Sequence, residues 1–173
     1  GRDDHLTRLD HVPDDAPPPP VSHPKHGKPG RVYHYRNAEG QTLGFVARFE
    51  ANATRPKKEF TWQVYAEADG RREWRWQGFP VPRPLYGLDA LADRPAAPVV
   101  LCEGEKAAEA AWDLMPDAVG MTWPGGSKAT EKADFSPLTG RAVILWADAD
   151  EPGRDAMKTA AKLARKAGAA SVR

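Results

Sequence analysis

Two short apolar runs, each followed at once by acidic residues, constrain what this chain can fold into. The first run is VVLC (residues 99–102), which precedes Glu103, and the second is AVILWA (residues 142–147), which precedes Asp148 and Asp150. Both runs contain β-branched residues, lack polar positions and are followed by a helix-like pattern. Such runs are typical of buried parallel strands, so we predict an α/β fold with helices on both faces of a parallel sheet.

The acidic residues that follow the two runs are predicted to meet at one edge of that sheet. Ligands of open α/β sheets collect beyond the carboxyl ends of the strands. Asp148 and Asp150 would point to the same side if the second strand continues through them, and Glu103 would lie just past the first strand. Three carboxylates repel one another unless a cation neutralises them, and an all-oxygen ligand set suits Mg²⁺ or Mn²⁺. The sequence therefore predicts a divalent-metal site for phosphate chemistry.

Two acidic motifs together carry a resemblance to a known family. Glu103-Gly104 after one strand, and DADEPG (residues 148–153) after a later one, resemble the TOPRIM domain of bacterial-type primases, topoisomerases and some nucleases. Residues 103–108, 123–126, 138–141 and 150–153 are most similar to the primases and primase-helicases of phages, plasmids and integrated elements. The resemblance covers residues 98–173 and implies a TOPRIM-like, Rossmann-like fold.

The resemblance implies a DNA primase, a nucleotidyltransferase that makes short primers on single-stranded DNA during replication of a phage, plasmid or integrated element. Asp148 and Asp150 would hold one or two divalent ions that bind the incoming triphosphate. Glu103 would complete the metal shell or assist proton removal from the primer 3′ hydroxyl. The implied partners are single-stranded DNA, nucleoside triphosphates and a helicase domain or replicative helicase. Two alternatives stay open: a TOPRIM nuclease that cleaves DNA, and a non-catalytic nucleic-acid-binding module.

Two lysines near the acidic motifs are candidates for phosphate binding. Lys106 lies early in the helix predicted over residues 105–115, where it faces either phosphate or solvent. Lys128 follows Gly125 and Gly126, whose backbone N–H groups could approach a phosphate. The residue order of a P-loop is absent, and a Gly-Gly turn is more often an ordinary strand-to-loop reversal.

Residues 31–96 are predicted to form a small antiparallel β subdomain. Alternating apolar residues and turn signals indicate two hairpins, one over residues 31–50 and one over residues 59–76. Cations interleaved with aromatic residues in this region match a surface that binds single-stranded nucleic acid. The candidates for such contacts are Arg48, Lys57, Lys58 and Arg75, and the neighbouring rings are Trp62, Trp74 and Trp76. The same alternation is also typical of a half-buried hairpin, with rings inward and charges outward.

Residues 1–30 contain few apolar residues and a run of four prolines at residues 17–20, so we predict a disordered, flexible linker with polyproline character. The histidines in this stretch lack the spacing of metal ligands and are interpreted as solvated. Residues 97–173 would form the catalytic TOPRIM domain. A strand-like pattern at residues 170–173 leads us to expect that this domain is truncated at its C-terminus.

Charge and cysteine content narrow the class of protein further. The formal net charge is only +1, so any nucleic-acid surface must be local. The single cysteine, Cys102, excludes a disulfide framework and a multi-cysteine zinc site within this chain, and it favours a reducing, cytoplasmic location. The sequence contains neither a signal peptide nor an apolar stretch of membrane-spanning length, so no membrane partner is expected.

Overall fold

The structure is a computed structural model that describes residue 7, residues 9–147 and residues 149–173. The chain divides into two compact units. Unit 1 consists of Gly1–Tyr35 with Gln41–Pro80, and unit 2 consists of Arg36–Gly40 with Val81–Arg173. The domain limits predicted at residues 30 and 96 stay predictions. Within the described parts of the chain, no helix has the length and apolar character needed to cross a membrane.

Unit 1 is built on a four-stranded antiparallel sheet, as predicted. Its strands lie in chain order and are β1 (Arg31–Arg36), β2 (Thr42–Phe49), β3 (Glu59–Ala68) and β4 (Arg71–Arg75). The tight turn between β3 and β4 places Asp69 and Gly70 at φ 52° and 73°. This left-handed region suits glycine and is tolerated by aspartate, which explains why the Asp-Gly pair ends one strand and starts the next.

The register of β2, β3 and β4 sorts the side chains of unit 1 between the two faces of the sheet. Phe45 pairs with Gln63 and Tyr65 pairs with Trp74, and residues two apart on a strand point the same way. Phe45, Gln63, Tyr65 and Trp74 therefore share one face, which we call the aromatic face. Ring centroids confirm the grouping, because Trp74 lies 5.8 Å from Phe45 and 5.3 Å from Tyr65.

The proline-rich stretch of unit 1 makes specific contacts with this sheet. Val12 donates its backbone N–H to the carbonyl of Thr42 at 2.7 Å. Further along, the indole Nε1 of Trp74 donates to the carbonyl of Pro17 at 2.6 Å. Proline carbonyls without a ladder partner are open acceptors, and the sequence pattern did not reveal which donors would meet them. The mobility expected for residues 1–30 stays a prediction.

Unit 2 contains a four-stranded parallel sheet in the order β6-β5-β7-β8, flanked by helices. The strands are β5 (Val99–Cys102), β6 (Val119–Met121), β7 (Ala142–Trp146) and β8 (Ser171–Val172). The helices are α1 (Leu88–Asp93), α2 (Glu105–Leu114) and α3 (Glu151–Lys166), and two 3₁₀ helices, Ser127–Lys132 and Ser136–Leu138, join β6 to β7. This arrangement confirms the predicted α/β architecture.

The two long helices pack on the sheet through small side chains. Ala108 and Ala111 of α2 are buried, as are Ala160 and Ala164 of α3. Alanine favours helix and lets a helix approach its neighbours closely. The approach is closest at Gly120 in β6, where an added Cβ would lie 2.0 Å from the carbonyl oxygen of Ala108.

One half-buried arginine, Arg141, fixes the route of the chain into the central strand. The Arg141 guanidinium donates to the carbonyls of Leu91, Arg94 and Ala97, at distances of 2.6 to 3.2 Å. These carbonyls lie at the end of α1 and in the connector to β5. A planar group with several donors is suited to gathering carbonyls in this way, so Arg141 ties the start of β7 to the segment that enters β5.

Gly120→Ala is expected to destabilise unit 2 strongly. The added methyl group would meet the carbonyl of Ala108 in the α2 backbone, which cannot rotate away, and, at 2.9 Å, the indole of Trp112. We expect the free energy of unfolding to fall by about 3 kcal/mol, measured by chemical denaturation. Gly104→Ala is the matched control, because its Cβ meets no atom within 4 Å and it should cost about 1 kcal/mol or less. Equal losses for the two variants would contradict the close helix–strand contact.

Candidate active site

The predicted site residues follow strands that end at the carboxyl edge of the parallel sheet. The central strand β5 lies between β6 and β7, and all three run parallel. Leu101 pairs with Met121 on one side, and Cys102 pairs with Trp146 on the other. The segments that follow the three strands therefore leave from the same edge, as in other open α/β sheets that bind ligands there.

Glu103 is the first residue after β5. It is half-buried, and its Oε2 atom is shielded from solvent. The next residue, Gly104, is the extended N-cap of α2, with φ −170° and ψ 160°. The chain therefore turns from a buried strand into a helix within two residues, which holds the Glu103 carboxylate at the sheet edge.

Asp150 follows β7 and caps helix α3. Its Oδ1 accepts a hydrogen bond from the backbone N–H of Gly153 at 2.8 Å, and the residue is exposed. Arg154 supports the same turn, because its Nη1 donates to the carbonyl of Ala149. Asp148, the other aspartate predicted in this motif, lies outside the described residues. Capping uses one carboxylate oxygen and leaves the other available for contact with a cation.

The donor set at this edge fits a hard divalent cation in its chemistry. Glu103 and Asp150 supply carboxylate oxygens after adjacent strands, and carboxylate oxygens are the ligands that Mg²⁺ and Mn²⁺ prefer. Among the residues that the structure describes, no group of three or more His, Cys, Asp or Glu is placed to hold a metal ion. The metal-binding and catalytic roles of Glu103, Asp148 and Asp150 stay predictions.

The two candidate phosphate-binding lysines belong to segments that leave this same edge. Lys106 lies in the first turn of α2, Lys128 lies in the first 3₁₀ helix after β6, and both are exposed. The loop before Lys128 turns at Gly125 and Gly126, which have φ 100° and 67°. The buried Trp123 holds this loop by donating its Nε1–H to the carbonyl of Gly126 at 2.9 Å.

The candidate arginines of unit 1 lie on the same face of the sheet as Trp62 and on the opposite face from Trp74. Arg48 pairs with Phe60 and Arg75 pairs with Val64, so both arginines lie on the face opposite the aromatic face. The other two candidates, Lys57 and Lys58, are exposed in the loop between β2 and β3, and Trp62 lies on the same face as Arg48 and Arg75.

Both candidate arginines of unit 1 are engaged with neighbouring acids. The Nε atom of Arg48 lies 2.8 Å from Glu50, and the hydrogen bond to that carboxylate raises the pKa of Arg48 above its usual value. Arg75 lies 2.9 Å from Glu73. These ion pairs supply part of the charge balance that a nucleic-acid phosphate would otherwise provide, so the template-binding role of these residues stays a prediction.

Sequence reasoning missed two polar residues near the site edge. Glu105 is buried in the first turn of α2. Tyr86 is buried and donates its hydroxyl to Glu109 at 2.9 Å, while its ring stacks on Trp112. Burial and the Glu109 carboxylate raise the pKa of the Tyr86 phenol well above its usual value. No local pattern marks either residue, because their surroundings come from distant segments.

Comparison with known proteins identifies solved structures that have a similar fold. No protein-family model matches the chain, and neither does any curated protein. The Aquifex aeolicus primase (zinc-binding and RNA polymerase domains) is similar over 81% of this chain, with a TM-score of 0.56 and 21% identity. A DNA primase domain from Pseudomonas aeruginosa is similar over 83%, with a TM-score of 0.52 and 19% identity. The chain has the fold of a DNA primase domain.

The primase fold agrees with the TOPRIM-like architecture that the resemblance implied. The similarity includes most of this chain but only 32% of the Aquifex aeolicus structure and 43% of the Pseudomonas aeruginosa structure. The chain therefore spans less than half the length of each of these two primase structures. At these identities the likeness concerns the fold, and residue roles rest on the geometry of this chain.

Substitutions at Asp150 separate its capping role from its charge. Asp150→Asn should keep the cap and change the free energy of unfolding by no more than about 0.3 kcal/mol, whereas Asp150→Ala should lower it by about 1 kcal/mol. Asp155→Ala is the control, because Asp155 lies further along α3, is exposed, and its carboxylate pairs with Lys158 at 2.9 Å on the helix surface. Chemical denaturation measures all three. Equal stability of the Asn and Ala variants would show that the Gly153 hydrogen bond contributes nothing.

Proposed function

We propose that this chain is the core of a DNA primase-type nucleotidyltransferase, which makes short primers on single-stranded DNA with Mg²⁺ or Mn²⁺. The observation that carries the proposal is the parallel pairing of β5 with β7, in which Cys102 lies opposite Trp146. Glu103 and Ala147 are thus the first residues after adjacent strands, and the acidic motif of Asp148 and Asp150 begins directly afterwards. The primase fold supports the same conclusion.

The carboxylates would divide the work of nucleotidyl transfer. A bound divalent ion supplies positive charge for the triphosphate and for the departing pyrophosphate. Asp148 and Asp150 would hold that ion, and the Gly153 N–H keeps the Asp150 carboxylate oriented. Glu103, held half-buried after β5, would complete the ion's shell or accept the proton of the primer 3′ hydroxyl.

Basic residues would position the nucleotide and the template. Lys106 and Lys128 leave the same edge as the acids and are exposed, so they can reach a triphosphate without losing an internal partner. In unit 1, Lys57 and Lys58 are the exposed candidates for contact with the DNA backbone, and Arg48 and Arg75 would have to exchange a carboxylate for a phosphate. We assign residues 97–173 to the catalytic domain and residues 31–96 to template contact.

The expected partner and the replicating element follow from the same functional assignment. Primer synthesis requires exposed single-stranded template, so the functional partner would be a helicase domain or a replicative helicase. The motifs shared with phage and plasmid primases suggest replication of such an element. A nuclease would use the same carboxylates to activate water, and a binding module would use none of them, so the reaction products distinguish the three functions.

The activity test uses the protein that contains this chain, a single-stranded DNA template, labelled ribonucleotides and Mg²⁺ or Mn²⁺. Short labelled primers are expected. Glu103→Gln, Asp148→Asn and Asp150→Asn should each lower the rate of primer synthesis by about 100-fold or more, because each removes charge at the site of phosphate chemistry. The measurement is the initial rate of labelled product on a denaturing gel.

The matched control is Asp155→Asn, which removes the same charge from the exposed side of α3. It should retain at least half of the unmodified rate. Shortened template without labelled primers would assign a nuclease, and template retention without either product would assign a binding module. Unchanged primer synthesis in all three site variants would place the chemistry elsewhere in the protein.

A further inference from the structure

The proline-rich part of unit 1 lies along the aromatic face of its sheet. We define residues 12–28 as the proline segment. Two side-chain donors of the aromatic face bind its carbonyls: Trp74 Nε1 donates to Pro17 at 2.6 Å, and Gln63 Nε2 donates to Pro20 at 2.9 Å. Neither of these two bonds belongs to a backbone ladder, so at Pro17 and Pro20 the sheet receives the segment by side-chain recognition.

The spacing of the two carbonyls matches polyproline II geometry. Residues 17–20 are four consecutive prolines, which have φ fixed near −65° and favour that helix. A polyproline II helix has three residues per turn and makes no internal hydrogen bonds, so carbonyls three residues apart point the same way and are open to donors. Pro17 and Pro20 are three residues apart. One side of a single turn is thus presented to the sheet.

The aromatic face is built for such a ligand. Trp74, Phe45 and Tyr65 group their rings on this face, with centroids 5.3 to 5.8 Å from Trp74. Gln63 is only 4% exposed, and a buried amide donor is costly unless it has an acceptor, which Pro20 provides. Aromatic rings with an indole donor between them are the recurring means of docking proline-rich segments.

A second set of contacts holds the far end of the proline segment. Backbone hydrogen bonds between His23 and Gly27 close a turn, and the His23 ring meets Trp76 edge-on with centroids 4.9 Å apart. His26 pairs with Glu59 at 3.1 Å. Because Gln63 and Glu59 lie on the same face of β3, the segment follows that strand along its length from Pro20 to His26.

We propose that the aromatic face of unit 1 is a recognition site for polyproline II segments, and that residues 12–28 of this chain occupy it as an exchangeable internal ligand. The contacts are those of a peptide complex: two carbonyls of one polyproline turn, two donors, and a histidine turn at one end. Attachment to the same chain raises the effective concentration of the segment to the millimolar range, so an external peptide competes poorly until the internal one is weakened. The inference does not depend on the proposed primase activity.

The test uses the full chain and a fluorescent peptide with the sequence of residues 12–28. One variant, P17G/P18G/P19G/P20G, keeps every backbone carbonyl and loses the fixed φ that organises the segment. By fluorescence anisotropy, we expect this variant to bind the peptide at least tenfold more tightly than the unmodified chain does. A peptide carrying the same four glycines should bind at least tenfold more weakly.

Variants of the two donors test whether binding takes place at the aromatic face. Added to the glycine variant, Trp74→Phe keeps a ring but removes the indole N–H, and Gln63→Leu removes the amide; each should weaken peptide binding at least tenfold. Hydrogen exchange at the Val12 amide, bonded to Thr42, should accelerate in the glycine variant while β5 and β7 stay protected. Peptide affinity that is the same in the glycine variant and the unmodified chain, or that is indifferent to both donor substitutions, would overturn the proposal.

Discussion

The buried pairing of β5 with its two neighbours is the constraint on which unit 2 depends. All four residues of β5 are buried, and the strand has a parallel partner on each side, so it has no room for polar side chains. Functional groups can therefore appear only where the strand ends, and Glu103 is the first position available. The same burial requires that neighbouring segments pack closely around β5. Gly120 lets α2 lie against the sheet, and Arg141 fixes the position of the segment that enters β5. The position of Glu103 at the sheet edge is thus a consequence of the packing around β5.

Electrostatics at this edge favour acids and phosphates together. Helices α2 and α3 both begin there, and the N–H groups of their first turns carry partial positive charge that stabilises anions. Asp150 uses this field as a cap, and Glu105 occupies it as a buried acid. Carboxylates gathered near helix starts repel one another, and a divalent cation relieves that repulsion while adding sites for phosphate oxygens. A single arrangement thus accounts for fold stability at the helix starts and for the proposed chemistry.

The sequence predicted most elements because local signals and tertiary environment agree in them. Local sequence patterns predict these elements correctly. They are the apolar runs of β5 and β7, the alanine-rich sequence of α2, and Pro152 in the first turn of α3. Other features depend on distant partners. The sequence around Gln63 does not predict that Pro20 will accept a hydrogen bond from its side-chain amide. The sequence around Tyr86 likewise does not predict that Glu109 will accept a hydrogen bond from its hydroxyl. Pro152 in the first turn of α3 is a local signal for a cap at Asp150, whereas the spacing of the acidic residues predicts only metal binding.

The central claim is that Glu103 and the aspartate motif after β7 share one divalent ion. Fe²⁺ can replace Mg²⁺ at oxygen sites, and with ascorbate and peroxide it generates radicals that cut the backbone nearest to the bound ion. Mass spectrometry then maps the cuts. We expect cleavage at both residues 103–104 and residues 148–150, suppressed by excess Mg²⁺ and absent in Glu103→Gln. Cleavage at only one of these segments, or at neither, would contradict a shared ion.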